Sequence, residues 1–199
     1  RDITTSALPH QVKELFHRTI DTGIQHGTVT VMLQRTGYEV TTYRIDGEYN
    51  DSRHPDSVEF TADLIEDLKR RDFTINAMAY NPTVGLVDAF DGMGDIEKKV
   101  IKCVGQAKER FTEDALRILR AVRFSAQLGF DIEESTMNAM ELLVQNLENI
   151  SAERIHVELE KLIMSNHPDK LITAYHAGIT KVILPEFDRM MECPQNTPY

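Results

Sequence analysis

Cysteine is nearly absent. The 199 residues hold only Cys103 and Cys193, far apart in the chain, which excludes a disulfide framework or a cysteine-rich zinc site and fits a reducing cytoplasm. No apolar run approaches the ~20 residues that span a bilayer, and no signal-peptide pattern is visible in a chain that opens abruptly. Also missing are the Gly-x-Gly-x-x-Gly and P-loop fingerprints, a Ser/His/Asp arrangement and a metal-binding cluster of histidines. There is no internal repeat and no low-complexity segment. Basic charge is scarce. Lys and Arg number 22 against 32 Asp and Glu, a net of −10, so the chain as a whole is not a general nucleic-acid binder.

One stretch reverses that balance. Between residues 101 and 125, Lys102, Lys108, Arg110, Arg117, Arg120 and Arg123 face only Glu109, Glu113 and Asp114. A local basic surplus in an acidic chain points to a focused anionic ligand rather than long-range steering. An apolar share of 41% is enough for a core, and the length fits one or two domains.

The pattern predicts an α+β region up to about residue 100 and helices after it. Asp2-Ile3 ends a strand, and Pro9 opens a helix running to about Phe16. Thr28–Leu33 and Tyr38–Arg44 form strands paired through a turn at Gly37. Asp46–Phe60, polar and containing Gly47 and Pro55, reads as a mobile loop. Thr61–Arg70 reads as a helix, acidic early and basic late, and Phe73–Ala79 as its continuation or a further helix. Val84–Phe90 is a strand, Gly94–Lys99 a helical turn and Val100–Val104 a last extended piece. Helices are then expected over Gln106–Leu128, stopped by Gly129, over Glu134–Gln145, over Ser151–Met164 with Ser151 as cap, and over Pro168–Ala177, closed by Gly178. Both ends of the chain look cut, so a fragment of a longer protein is expected.

Three groups of residues carry candidate chemistry. Glu39 lies inside a β-branched strand, where a carboxylate is costly unless it is paired, metal-bound or turned to solvent; with Asp2 on a neighbouring strand it could converge on Mg²⁺. On residue type alone, Asp2 reads first as a helix-capping or terminal residue. Arg70 and Arg71 suit triphosphate oxygens or form a surface charge run. Asp72 can orient an arginine or cap the next helix, and Asn76 can reach a sugar hydroxyl. The third group is Glu113–Arg123. If that stretch is helical, Asp114, Arg117 and Arg120 fall within a sector of ~120°, rising ~4.5 Å per step, with Arg123 rotated further. Leu116, Leu119 and Val122 supply an apolar stripe beside them. An Asp and an Arg one turn apart present an acceptor pair and a donor fork able to read a base edge, or they form an ordinary solvated ion pair. His26, beside Gly27-Thr28, reads as locally structural.

The order of motifs narrows these choices. Asp-Ile-Thr-Thr-Ser-Ala-Leu-Pro at 2–9, His-Gly-Thr at 26–28 and Tyr-Glu-Val-Thr-Thr-Tyr-Arg at 38–44 come first. Glu-Asp-Leu-Lys-Arg-Arg-Asp-Phe-Thr-Ile-Asn-Ala follows at 66–77, then Arg-Phe-Thr-Glu-Asp-Ala-Leu-Arg-Ile-Leu-Arg-Ala-Val-Arg-Phe at 110–124. Together, from residue 2 to about 165, they resemble the bacterial-type (class II) tRNA nucleotidyltransferase and poly(A) polymerase family.

The resemblance implies a polymerase-β-like nucleotidyltransferase head, truncated at its N-terminus, over 1–100, a helical neck over 101–165 and the start of a helical body over 166–199. It implies an enzyme that uses Mg²⁺ with ATP and CTP to add CCA to the tRNA 3′ end without a nucleic-acid template. Poly(A) polymerase, a CC- or A-adding specialist, or an inactive RNA- or nucleotide-binding fragment are the alternatives. Asp2 matches the second metal aspartate. Arg71, Asp72 and Asn76 match the motif that contacts the incoming nucleotide. Asp114 and Arg117 match the base-reading pair, and Arg120 and Arg123 match further nucleotide-site arginines. Asp46–Phe60 matches a flexible head loop. The first metal aspartate and the glycine-glycine loop of the family would precede Arg1, so the chain as given is expected to be inactive. Cys193–Tyr199 resembles the lead into an HD-type hydrolase domain of some relatives.

Overall fold

The computed structural model describes residues 2–47 and 58–194. The chain divides between Arg71 and Asp72 into two compact units.

The first unit begins with β1 (Ile3–Thr5), α1 (Pro9–Leu15), β2 (Thr19–Gly23), β3 (Thr28–Leu33) and β4 (Thr36–Thr42). These strands make one sheet in the order β1-β4-β3-β2, with β1 parallel to β4 and the other pairs antiparallel. Alternation along the strands sorts the faces. Val29, Val31 and Val40 point to one side and pack with Val12 of α1 and with Ala7. The other side is a row of threonines, tied by Thr22–Thr30 and Thr28–Thr41 hydroxyl contacts of 2.8 and 3.0 Å. The expected β3–β4 hairpin is present. The strand β2 was not expected, because its single apolar residue, Ile20, gives no alternation to read.

A second ladder, β5 (Arg44–Asp46) with β6 (Val58–Phe60), is antiparallel. The loop expected over Asp46–Phe60 is therefore a strand at each of its ends; its remainder, 48–57, lies outside the described residues. The helix α2 (Leu64–Lys69) starts three residues later than expected, because Asp63 caps it by accepting from the Ile65 N–H at 2.8 Å.

The second unit opens with a 3₁₀ turn at Thr74–Asn76 and a hairpin of β7 (Met78–Asn81) and β8 (Gly85–Asp88). The helix expected over Phe73–Ala79 is thus corrected. Ala and Met favour helix in isolation, but pairing with β8 overrides that weak preference. Next come α3 (Gly92–Lys98), β9 (Val100–Ile101), α4 (Ala107–Glu113), α5 (Leu116–Leu128) and β10 (Asp131–Ile132), a short strand parallel to β9. The remaining helices are α6 (Glu134–Leu143), α7 (Ala152–Ile163), α8 (Leu171–His176), α9 (Ile179–Ile183) and α10 (Pro185–Met191).

The single helix expected over Gln106–Leu128 is two helices. Asp114 is extended, with φ −144° and ψ 103°, and the chain turns there. Asp114 Oδ1 accepts the Leu116 N–H at 3.1 Å, so the residue starts α5 as a capping carboxylate rather than riding on the helix. α5 is the centre of this unit. Leu116, Leu119 and Val122 are buried as expected, joined by Ile118, Ala121 and Ala126, and the helix packs on α7 and α8. Each fully buried Leu or Ile contributes ~1.5–3 kcal/mol. Gly129 ends α5 at φ 68°, where a side chain would be strained. Both cysteines are free. Among the described residues, no helix is long and apolar enough to cross a membrane.

Candidate functional site

Asp2, Glu39 and Arg71 belong to the first unit; Asp72, Asn76, Asp114, Arg117, Arg120 and Arg123 belong to the second. In the first unit, β1 and β4 pair Ile3 with Val40 and Thr4 with Thr41. Asp2 precedes Ile3 as Glu39 precedes Val40, so the register carries the two carboxylates onto the same sheet face. That face is the threonine side, since Glu39 is paired with Thr30. Both carboxylates are exposed. Among the described residues there is no group of three or more metal-ligating side chains. Two adjacent carboxylates fit a hard cation such as Mg²⁺, which takes its other oxygens from phosphate and water.

Arg71 stands just beyond α2. Its Nη2 donates to Asp67 Oδ2 at 3.3 Å, and the neighbouring Arg70 donates to Asp67 Oδ1 through Nε and Nη2 at 3.1 and 2.9 Å. Arg44 of β5 pairs with Asp46 at 2.9 Å and donates through Nη1 to the His26 carbonyl at 2.7 Å.

In the second unit Asp72 is a hub. Its Oδ1 accepts from the Phe73 N–H at 2.8 Å and from Asn76 Nδ2 at 3.2 Å, and its Oδ2 accepts from Arg120 Nε and Nη2 at 2.9 and 2.6 Å. Of the two alternatives read for Asp72, the geometry has the arginine pairing; the 3₁₀ turn at Thr74–Asn76 carries no side-chain cap. Burial pushes the Asp72 carboxyl up, but the charge and hydrogen bonds of Arg120, with those of Asn76 and Phe73, outweigh it and hold it below the usual range. The segment is clamped by backbone bonds from Thr74 N–H to Lys102 O and from Val104 N–H to Asp72 O, at 2.9 and 3.0 Å.

Arg120 leads onward. Its Nη1 is 3.7 Å from Glu158 Oε1, while Glu158 Oε2 accepts from Arg123 Nε at 2.7 Å. Arg123 also donates to Gln127 Oε1 at 2.7 Å, and its guanidinium lies 3.6 Å from the Phe124 ring centroid. Only 7% of Arg123 is exposed. Arg123, expected as a further nucleotide-site arginine, faces inward in this structure. It is an internal strut between α5 and α7, because a guanidinium at this depth is satisfied by Glu158, Gln127 and Phe124.

Asp114 and Arg117 lie together where α5 begins. Asp114 Oδ2 accepts from Arg154 Nη2 at 2.7 Å. Arg117 Nη1 donates to Glu113 Oε2 at 2.6 Å and to the Arg110 carbonyl at 3.1 Å. The expected single-helix sector does not describe this pair, because Asp114 is off the helix. Sequence reasoning missed Asp67, Glu113, Arg154 and Glu158. Spacing could have found two of them: Asp67–Arg71 and Glu113–Arg117 are each four apart on or beside a helix. Arg154 and Glu158 act across the fold and leave no local signal.

Known proteins are similar to this chain in sequence and in fold. Residues 129–191 match a family described as "Probable RNA and SrmB- binding site of polymerase A". A CCA-adding enzyme of Leuconostoc mesenteroides is 56% identical over 165 residues, covering 83% of this chain and 41% of the relative. That of Lactiplantibacillus plantarum is 50% identical over 190 residues, covering 96% of this chain and 45% of the relative. The chain thus spans less than half the length of these curated relatives. The crystal structure of the Bacillus stearothermophilus CCA-adding enzyme in complex with CTP aligns at TM-score 0.82 and 42% identity, over 88% of this chain and 42% of that one. The Thermotoga maritima CCA-adding enzyme complexed with tRNA aligns at TM-score 0.70 and 27% identity, over 95% and 42%. The match that identifies the chain is to a family described as "Poly A polymerase head domain", over residues 1–102, more than half of the 199; the chain belongs to that family.

Proposed function

We propose that this chain supplies part of the head (1–100), the neck (101–165) and the start of the body (166–199) of a cytoplasmic nucleotidyltransferase. The enzyme adds CMP and AMP from CTP and ATP to the 3′ end of tRNA, completing CCA without a template strand. The observation that carries the reading is the Asp114–Arg117 pair. An acceptor carboxylate and a donor fork stand three residues apart at the start of α5, each held by partners of its own. Such a pair offers C and A complementary partners and leaves the edges of G and U unpaired, and an unpaired buried polar group is costly. The relatives' names, and the CTP, ATP and tRNA named with the solved structures, support the same substrates.

The other residues divide the work. Arg71 contacts the triphosphate. Asp72 and Asn76, bonded to each other, hold the sugar end, with Arg120 fixed on Asp72. Asp2 and Glu39 would hold Mg²⁺. When bound, the metal supplies charge for the transferring phosphoryl group and activates the attacking hydroxyl.

The test uses the full-length protein with tRNA ending before CCA, tRNA lacking only the terminal A, and a generic RNA, each with the four nucleotides in turn. The expected products are CCA on the first and a single A on the second. Long A tails on the generic RNA would instead assign poly(A) polymerase activity. Addition of only C or only A would assign a specialist, and binding without incorporation would leave an RNA- or nucleotide-binding module.

A further inference from the structure

We propose that Asp67 is a positioning residue of the nucleotide site, a wholly buried carboxylate that aims the Arg71 guanidinium and anchors it to β5. The inference rests on the reading of Arg71 as the triphosphate contact and adds to it the residue through which Arg71 is set.

Asp67 has no exposed surface, and a carboxylate there is costly unless every donor it needs is supplied by the protein. The supply is asymmetric. Oδ1 takes the Arg44 N–H at 3.2 Å and both Arg70 bonds. Oδ2 takes Arg71 Nη2. Arg70 is bracketed a second time, since its Nη1 is 3.5 Å from Asp46 Oδ2, and its side chain is only 20% exposed. Arg70 is therefore scaffolding. Arg71, at 30% side-chain exposure, is the more open of the two. One carboxylate thus joins a backbone group of β5, a scaffold arginine and a ligand-facing arginine.

Stability alone does not account for this choice. A buried ion pair is a weak source of stability, and a well-packed apolar residue often does as well. What the carboxylate supplies is direction. Holding one Nη2 of a planar guanidinium sets the plane of the whole fork, and a fork binds phosphate oxygens through paired, oriented donors. The four-residue spacing puts Asp67 one turn before Arg71, so the contact forms as soon as α2 ends.

The test uses the full-length protein and CTP incorporation into tRNA ending before CCA. The variants are Asp67→Asn, Asp67→Glu, Arg71→Ala and the Asp67→Asn/Arg71→Ala double variant. Melting temperature is followed in parallel. Loss of aim by ~1 Å costs up to about a hundred-fold. Asp67→Asn is accordingly expected to raise the KM for CTP roughly ten- to a hundred-fold with a smaller change in kcat, and to add nothing once Arg71 is gone. Asp67→Glu keeps the charge on a longer arm. It is expected to raise KM with little change in melting temperature, and it carries the test if the Asn variant does not fold. An unchanged KM in both variants, or an Asp67→Asn loss of equal size with and without Arg71, overturns the proposal and leaves Asp67 a structural residue. Wild-type protein that neither binds nor incorporates CTP overturns the triphosphate reading and this inference together. Active wild type with unaffected Asp67 variants overturns only this one.

Discussion

Replacing Glu158 by alanine gives a sharp test of the interior of the second unit. Among the described residues, the Glu158 carboxylate is the acid in contact with Arg123, with a 2.7 Å bond, and it also lies 3.7 Å from Arg120. Side-chain exposure is 9% for Arg123 and 6% for Glu158, so water does not replace the lost partner. Removing one member of such a buried pair costs ~3–5 kcal/mol. Two compensations remain to Arg123, the Gln127 bond at 2.7 Å and the Phe124 ring, which favours the lower end, about 3 kcal/mol. With a urea slope of ~2–3 kcal/mol per molar for a chain of this size, the midpoint falls by about 1–1.5 M. Far-UV circular dichroism in urea at pH 7 reads this directly. Glu158→Gln keeps an acceptor but loses its charge, and falls between wild type and alanine. The double substitution Arg123→Met/Glu158→Leu removes both charges and recovers most of the loss. Because the pair is buried, 0.5 M salt leaves the difference nearly unchanged. A loss below 1 kcal/mol, or a double variant as unstable as Glu158→Ala, would refute the strut assignment.

Other outcomes follow from the same geometry. Arg117→Ala in the full-length protein is expected to relax nucleotide selection by about ten-fold or more while tRNA affinity stays nearly constant; equal losses in a filter-binding assay and in competition between CTP and GTP would make Arg117 a structural contact. Asp72 is held below its ordinary value of 3.8, so its contribution is complete above that pH and is lost as pH falls through the folded value; the stability gap between wild type and Asp72→Asn should stay flat from pH 7 to 5 and close below 3.8, and a gap independent of pH would contradict the pairing with Arg120. Burial pushes the Cys103 thiol up to about 12, whereas Cys193 is exposed; iodoacetamide at pH 8 followed by peptide mass spectrometry should mark Cys193 alone until denaturant is added, and equal labelling of the native protein would place Cys103 at the surface.

How far the chain could be read in advance depended on whether a feature was local. Val29, Val31 and Val40 alternate with polar residues, so the β3–β4 hairpin and its buried face were legible. Leu116, Leu119 and Val122 marked the buried face of α5 for the same reason. The break at Asp114 was hidden because no glycine or proline marks it and the apolar spacing runs on in fours from Phe111 through Ala115 to Leu119. The clue was Asp114 itself, a capping residue type just before an apolar run. The strand at Met78–Asn81 depended on a partner, Gly85–Asp88, that propensity cannot see. The candidate residues were legible as chemistry, since Arg, Asp and Asn announce their donors and acceptors. Their partners were not. Arg154 meets Asp114 across 40 residues and Glu158 meets Arg123 across 35, and only the folded chain brings them together. For that reason the partners of Arg123, read as a phosphate, RNA or head–neck contact, inside the second unit were not legible in advance.

The turn at Asp114 has one more consequence. With the Leu116 N–H on one oxygen and Arg154 on the other, both torsions of the side chain are locked before any ligand arrives. Each oxygen keeps a second lone pair, and those lone pairs now point along fixed directions, like marks on a protractor. The ordering entropy of a contact side chain, ~0.5–1.5 kcal/mol, is spent during folding rather than on binding. A carboxylate carried on a smooth helix surface would be free to swivel toward whichever donor came near. On the proposed reading of Asp114 as a base contact, an incoming group must meet the angle the chain has already set.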